Sequence, residues 1–266
     1  MEHIITQDFQ FIAIVIIIAV LAVVVIAWFL DESPLSNWFK ASEGIVVSFI
    51  TVPAFLFGMA ISTLSNSIWD SHVSANLSLV NESSAVRTLT SIASILPPND
   101  SLDLKVATKK YVSAVLTKEW PAMKVDNPAG KTIARSEFEN LNDVANRIAM
   151  QANQRSAIES RLITSIDSLR HERLLRLSLA YDSTNFSRWP SVFVLSFLLM
   201  MTVGLLQLRS PRAMRISLAM GALCIGSTML FLYLNISPYY GLNPVEPQPL
   251  EESLGFIHIP QSEAGK

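Results

Sequence analysis

Four apolar runs divide the chain unevenly: residues 9–30, 44–64, 190–208 and 213–234. A helix needs about 20 apolar residues to cross the hydrocarbon core of a bilayer, and each run comes close to that length. The first has a β-branched centre and no Lys or Arg ahead of it, which fits a membrane span better than a cleaved signal peptide. Trp28, Trp38 and Phe39 flank the following loop, where aromatic side chains favour the membrane interface. Only Arg209-Ser-Pro-Arg212 separates the third run from the fourth, so these two must form an antiparallel hairpin. The pattern predicts an all-α integral membrane protein with four transmembrane helices, paired as residues 1–64 and 189–234.

Between the second and third runs, residues 65–188 are polar but keep a helical period, which predicts a helical domain inserted between the second and third spans. Ile68 to Leu96 reads as a helix continuous with the second span, ended by Pro97-Pro98-Asn99-Asp100. Asp100 or Ser101 can cap a further helix through Met123. After a loop containing Pro128 and Gly130, apolar residues at Leu141, Ile148, Ile158, Leu162 and Leu169 predict one long helix from Ile133 to Tyr181. Strand-like alternation is absent. Residues 235–266 form a proline-rich, acidic tail, either disordered or extended against the rest of the protein.

Composition agrees with this layout. Half of the 266 residues are apolar and 16% are charged, against roughly 25% in soluble domains. Mean hydropathy is +0.38. A net charge of −2 gives no reason to expect nucleic acid as a partner. Cys224 has no second cysteine to pair with, and His3, His72, His171 and His258 lie far apart, so neither a structural metal site nor a cofactor is expected. Orientation is balanced. Lys40, Arg209, Arg212 and Arg215 favour a cytoplasmic position for the short loops, while Arg170, Arg173, Arg176 and Arg188 favour the opposite side.

The second run carries the most candidate chemistry. Thr51, Phe55, Met59 and Ser62 recur at helical spacing and share one face, as residues lining a pore formed by several copies would. Pro53 and Gly58 are hinge candidates within it. Trp69 and Asp70, just beyond it, are candidates for a vestibule. The plainer reading is helix–helix packing, for which small residues and proline are common in membranes. No run holds an ionisable residue in its interior, since Arg215 counts with the hairpin loop, and this weighs against a proton-coupled transporter. Asp70, Glu82 and Glu119 invite an acid–base reading, yet no catalytic constellation accompanies them, and a structural role is preferred. Arg161, Arg170, Arg173 and Arg176 read as a solvated face paired with Glu159, Asp167 and Glu172.

Two stretches resemble the bestrophin-like family of membrane proteins. One is Leu234-Asn-Ile-Ser-Pro238-Tyr-Tyr-Gly241 through Pro249-Leu250, similar to a Pro, aromatic, Gly, Pro-Leu pattern preceding a short terminal helix; Asn235 stands where that family usually has Asp. The other comprises Trp69-Asp70, Asn81-Glu82, Tyr111, Glu119-Trp120 and Arg170-His-Glu-Arg173. A more distant similarity, through Val52-Pro53-Ala-Phe55-Leu-Phe57-Gly58 and Ile68-Trp69-Asp70, runs to the bestrophin anion channels. The resemblance implies a homo-oligomer, a pentamer in bestrophins, embedded in a lipid bilayer and passing inorganic ions, anions among them. It also implies a bacterial inner-membrane location with the helical domain in the cytoplasm. The rival expectation is a non-conducting membrane scaffold or sensor whose helical domain binds a partner. No enzyme is expected.

Overall fold

A computed structural model describes residues 17, 20–34, 36, 47–125, 127, 129–151, 156–181 and 187–258. The described residues are mostly helical, with no strand among them. They fall into two compact units, one formed by residues 1–68 and 183–236, the other by residues 69–182 and 237–266.

The first unit contains α1 (Val20–Asp31), a 3-10 turn (Val47–Ile50), the beginning of α2 (Thr51–Ala93), α8 (Trp189–Leu206) and α9 (Pro211–Leu234). The stretches 48–93, 189–206 and 211–234 are long and apolar enough to cross a membrane. Residues 9–16, 18 and 19 of the first predicted span lie outside the described residues, and Val20–Asp31 is a shorter apolar helix. Two apolar clusters hold this unit together. In one, Ile26 and Leu30 of α1 meet Met200, Met214 and Leu218 of the hairpin. In the other, Leu64 and Ile68 of α2 meet Trp189, Val192 and Leu232. Gly204 lets α8 come up against Leu30; a β-carbon there would collide with the end of that side chain, which has no exposed surface.

The 43 residues of α2 run without interruption, as the sequence predicts, into the second unit. At about 1.5 Å per residue the helix is roughly twice the length that spans a hydrocarbon core of about 30 Å. Around its later turns lie α3 (Pro98–Ala114), a π turn (Val115–Glu119), α4 (Trp120–Lys124), α5 (Gly130–Ile133), α6 (Arg135–Gln151) and α7 (Ser156–Ala180). Three expectations change here. The capping residue of α3 is Pro97, not Asp100 or Ser101, because Pro98 occupies the first helical position, where its missing N–H costs nothing. The single helix expected over 133–181 is two helices, α6 and α7, with residues 152–155 outside the described set. Phe138 faces Arg173 and Asn142 faces Arg170, so α6 and α7 pack antiparallel. Folding back lets Phe138, Leu141 and Ile148 share one core with Leu162, Ile166 and Leu169.

The third change concerns the tail, whose described part, residues 235–258, is neither disordered nor merely extended. Tyr239, Leu250 and Ile257 join the core of the helical unit, and α10 (Gln248–Gly255) packs on α3. The Ser83 hydroxyl donates to the Pro249 carbonyl at 2.6 Å, and Arg87 pairs with Glu252 at 3.1 Å.

Candidate functional site

In the first unit, α2 has two unlike faces. Phe57, Ala60, Ile61, Leu64 and Ile68 turn toward the hairpin. Thr51, Phe55, Met59 and Ser62 do not: all four are exposed, Phe55 at 65% and Met59 at 54%. Phe55, Gly58, Met59 and Ser62 line an open groove of about 370 Å³ on this helix. A β-carbon on Gly58 would meet no atom of the described residues within 4 Å. Pro53 is the third residue of α2. It has no N–H to offer the carbonyl four residues back, at Phe49, and the backbone from Val47 to Ile50 is wound as a 3-10 turn rather than α.

In the second unit α2 is again two-faced. Ala75, Leu79, Glu82, Val86 and Leu89 are buried, while Trp69, Val73, Leu77 and Val80 are exposed, Trp69 at 69%. Asp70 is exposed as well.

The centre of the second unit is ionic. Arg176 is fully buried and its guanidinium is gripped from two sides. Its Nε donates to Glu82 Oε2 at 2.7 Å and its Nη2 to Glu119 Oε1 at 2.7 Å and Glu82 Oε1 at 3.2 Å. Arg173 Nη2 donates to the other Glu119 oxygen at 2.6 Å. The Tyr111 hydroxyl donates to Glu82 Oε1 at 2.5 Å. Two glutamates and two arginines thus balance in a space sealed from solvent, the condition under which buried charge is tolerated. Aromatic rings enclose the cluster. Arg176 lies 5.7 Å from the Trp120 ring centre, Arg173 lies 5.7 Å from that of Phe138, and Tyr239 meets Trp120 edge-on.

Electrostatics follows from the geometry. Burial by itself would lower the pKa of Arg176, but Glu82 and Glu119 outweigh it and hold the group firmly protonated. Burial, reinforced by Glu82, pushes the Tyr111 phenol well above its ordinary range. Burial raises Tyr239 in the same direction.

This corrects the reading of the arginines as one solvated face. Arg161 and Arg170 are exposed, and Arg170 pairs with Asp167 at 3.2 Å. Arg173 and Arg176 are buried, and their partners come from α2 and the π turn rather than from neighbours on their own helix. Glu82 and Glu119 serve as ion-pair partners, whereas Asp70 takes no part in the cluster. Among the described residues no group of His, Cys, Asp or Glu could hold a metal ion.

Spacing contained an overlooked signal. Arg176 follows Leu162 and Leu169 at intervals of seven on α7, and Glu82 lies between Leu79 and Val86 on the buried side of α2. Glu119 is brought in by the π turn, which accommodates one extra residue. Residues 111 and 119 are then related as if seven apart, about 20° from alignment, so Glu119 joins Tyr111 on the core side.

Five of the positions that carry the sequence resemblance therefore converge in space: Glu82, Tyr111, Glu119, Trp120 and Arg173 gather around Arg176, whereas Trp69 and Asp70 do not. A profile of the bestrophin-like domain matches residues 17–250. The chain belongs to the bestrophin-like family. Its fold agrees. Solved structures of a bacterial bestrophin homologue from Klebsiella pneumoniae, each carrying one substitution to threonine, are similar to this bestrophin-like chain. One has a TM-score of 0.60 at 12% identity, covering 92% of this chain and 97% of the other. The second has a TM-score of 0.61 at 10% identity, covering 94% and 97%. A solved membrane protein carrying a proline-to-alanine substitution gives a TM-score of 0.60 at 12% identity over 92% and 97%. No curated protein matches the chain.

Proposed function

We propose that this bestrophin-like chain is one subunit of a homo-oligomeric channel that passes ions passively along a pore lined by the first turns of α2. The observation that carries the reading is the uncovered face of Thr51, Phe55, Met59 and Ser62, with its groove, on a helix whose opposite face is packed. A large apolar face left bare by its own chain calls for lipid or for further copies. Its mixture of hydroxyls with Phe and Met suits a narrow apolar constriction that gates by dewetting. Four spans per subunit, five subunits, a helical unit in the cytoplasm, a bacterial inner-membrane location and a preference for anions complete the proposal. The four spans rest on the apolar runs of the sequence, and the rest follows from the family resemblance. Trp69 and Asp70 would then lie in the vestibule, with Pro53 and Gly58 as the points of bending.

Planar-bilayer recording of the purified protein tests it. The parent should carry current, Phe55→Ala and Met59→Ala should enlarge it or change its gating, and the reversal potential under a salt gradient should report the sign of the permeant ion. Absence of current in the parent and in both variants would favour the non-conducting scaffold.

A further inference from the structure

A second groove, of about 440 Å³, lies on the helical unit and takes no part in the ionic core. Lys109 and Lys110 of α3, Lys118 of the π turn and Glu137 of α6 stand along it, and Val106 and Ala114 supply apolar floor. The π turn shapes this surface as well. Lys110 and Lys118 are eight residues apart, which on a regular helix would leave them roughly 80° out of line. The extra residue in the π turn cuts the offset to about 20°. The backbone irregularity that carries Glu119 into the core thus sets Lys118 in line with Lys110 outside it.

The charges here are uncommitted. Of the carboxylates on these helices, Asp103 is engaged by Arg147 at 2.5 Å and Glu139 by Arg135 at 2.7 Å, and Glu119 of the π turn is buried. Neither Lys109, Lys110 nor Lys118 forms a salt bridge among the described residues. The Ser136 hydroxyl, the backbone and then Lys118 hold the Glu137 carboxyl below its usual range, so it is ionised at neutral pH. Three ammonium groups against one carboxylate leave two positive charges over an apolar floor.

We infer that this groove binds a small organic phosphate, an anionic head held by the lysines with an apolar body lying on Val106 and Ala114. Lysine binds phosphate as a point charge and needs no planar partner. Two net positive charges match a phosphate monoester dianion, and the volume lies within the range of about 300–1,000 Å³ of small-molecule sites. The same chemistry could come from a soluble phosphate ester or from a lipid headgroup.

Calorimetric titration of the whole protein in neutral detergent, with phenyl phosphate and inorganic phosphate as probes, tests the inference. Phenyl phosphate should bind saturably and about tenfold more tightly than inorganic phosphate, as expected for burying one ring. Lys110→Gln and Lys118→Gln should each weaken it about tenfold, while Lys105→Gln and Lys124→Gln, on the same stretch of helix but outside the groove, should leave it unchanged. Glu137→Gln should tighten it several-fold by removing the one opposing charge, an effect that damage to the fold would not produce. In nanodiscs of phosphatidylcholine the affinity should match that in detergent. A drop confined to nanodiscs containing phosphatidic acid, whose head is itself a phosphate monoester, assigns the site to a lipid headgroup, and no drop assigns it to a soluble ester. Failure of either probe to saturate, or equal binding by the parent and the Lys110→Gln, Lys118→Gln double variant, overturns the inference.

Discussion

Arg176 is the place to test whether the buried cluster is a stability element. Replacing it with Met keeps the volume and removes the charge. Glu82 then loses both of its bonds to the guanidinium, at 2.7 and 3.2 Å, and keeps only the Tyr111 hydroxyl. Glu119 loses one bond of 2.7 Å but keeps Arg173 at 2.6 Å. The damage therefore concentrates on Glu82, which becomes a buried carboxylate without a counter-charge. Breaking one side of a buried pair costs about 3–5 kcal/mol. For a protein of this size each kcal/mol moves the melting temperature by about 2–4 °C, so Arg176→Met should melt roughly 6–20 °C below the parent. Tryptophan fluorescence in detergent is a suitable readout, because Trp120 lies against the guanidinium. Adding Glu82→Gln to Arg176→Met removes the stranded charge and should restore more than half of the loss. A single variant that melts within about 2 °C of the parent, or a double variant no better than the single, would refute the view that uncompensated charge governs this core.

The two buried phenols make a pH prediction. An unfolded tyrosine loses its proton near pH 10, whereas Tyr111 and Tyr239 keep theirs in the folded state above that value. Above about pH 10 the unfolded chain binds fewer protons, so stability should be full below the ordinary phenol range and fall as pH rises, by about 1.4 kcal/mol per pH unit for each tyrosine. Melting curves from pH 8 to 11 should show the decline, less steeply in Tyr111→Phe; a flat parent curve contradicts it. Two glycines should respond in opposite senses. Gly204→Val drives a side chain into Leu30, with an expected cost of about 1–3 kcal/mol, whereas Gly58→Ala meets open space and should stabilise the helix by up to about 1 kcal/mol. Thermal melts of the two variants side by side check both signs.

The apolar periods announced most of the helices because burial and lipid exposure act on local sequence. The unbroken α2 and the hairpin of α8 and α9 were legible for that reason, and so was the shared face of Thr51, Phe55 and Met59. The fold-back after Gln151 was not, since no proline or glycine marks it and the periods of α6 and α7 continue across the gap. The ionic core was harder still. A charged residue at an apolar position reads as solvated until its partner is known, and Arg176 meets partners 94 and 57 residues away. The π turn had no local signature either, because Val115 to Glu119 is ordinary helical sequence.

The contribution of Tyr239, Leu250 and Ile257 to the helical core has a consequence for biogenesis. Synthesis runs from the N-terminus, so α3 to α7 leave the ribosome well before these residues exist. Until the last hairpin has been made and the segment behind it is released, the helical unit lacks three of its apolar plugs and exposes the surface they cover. A nascent chain stalled or cut before residue 237 would therefore carry its apolar helices joined to an unfinished bundle, a form that proteases and chaperones can recognise. The core of the helical unit is thus completed only by residues made after the last span.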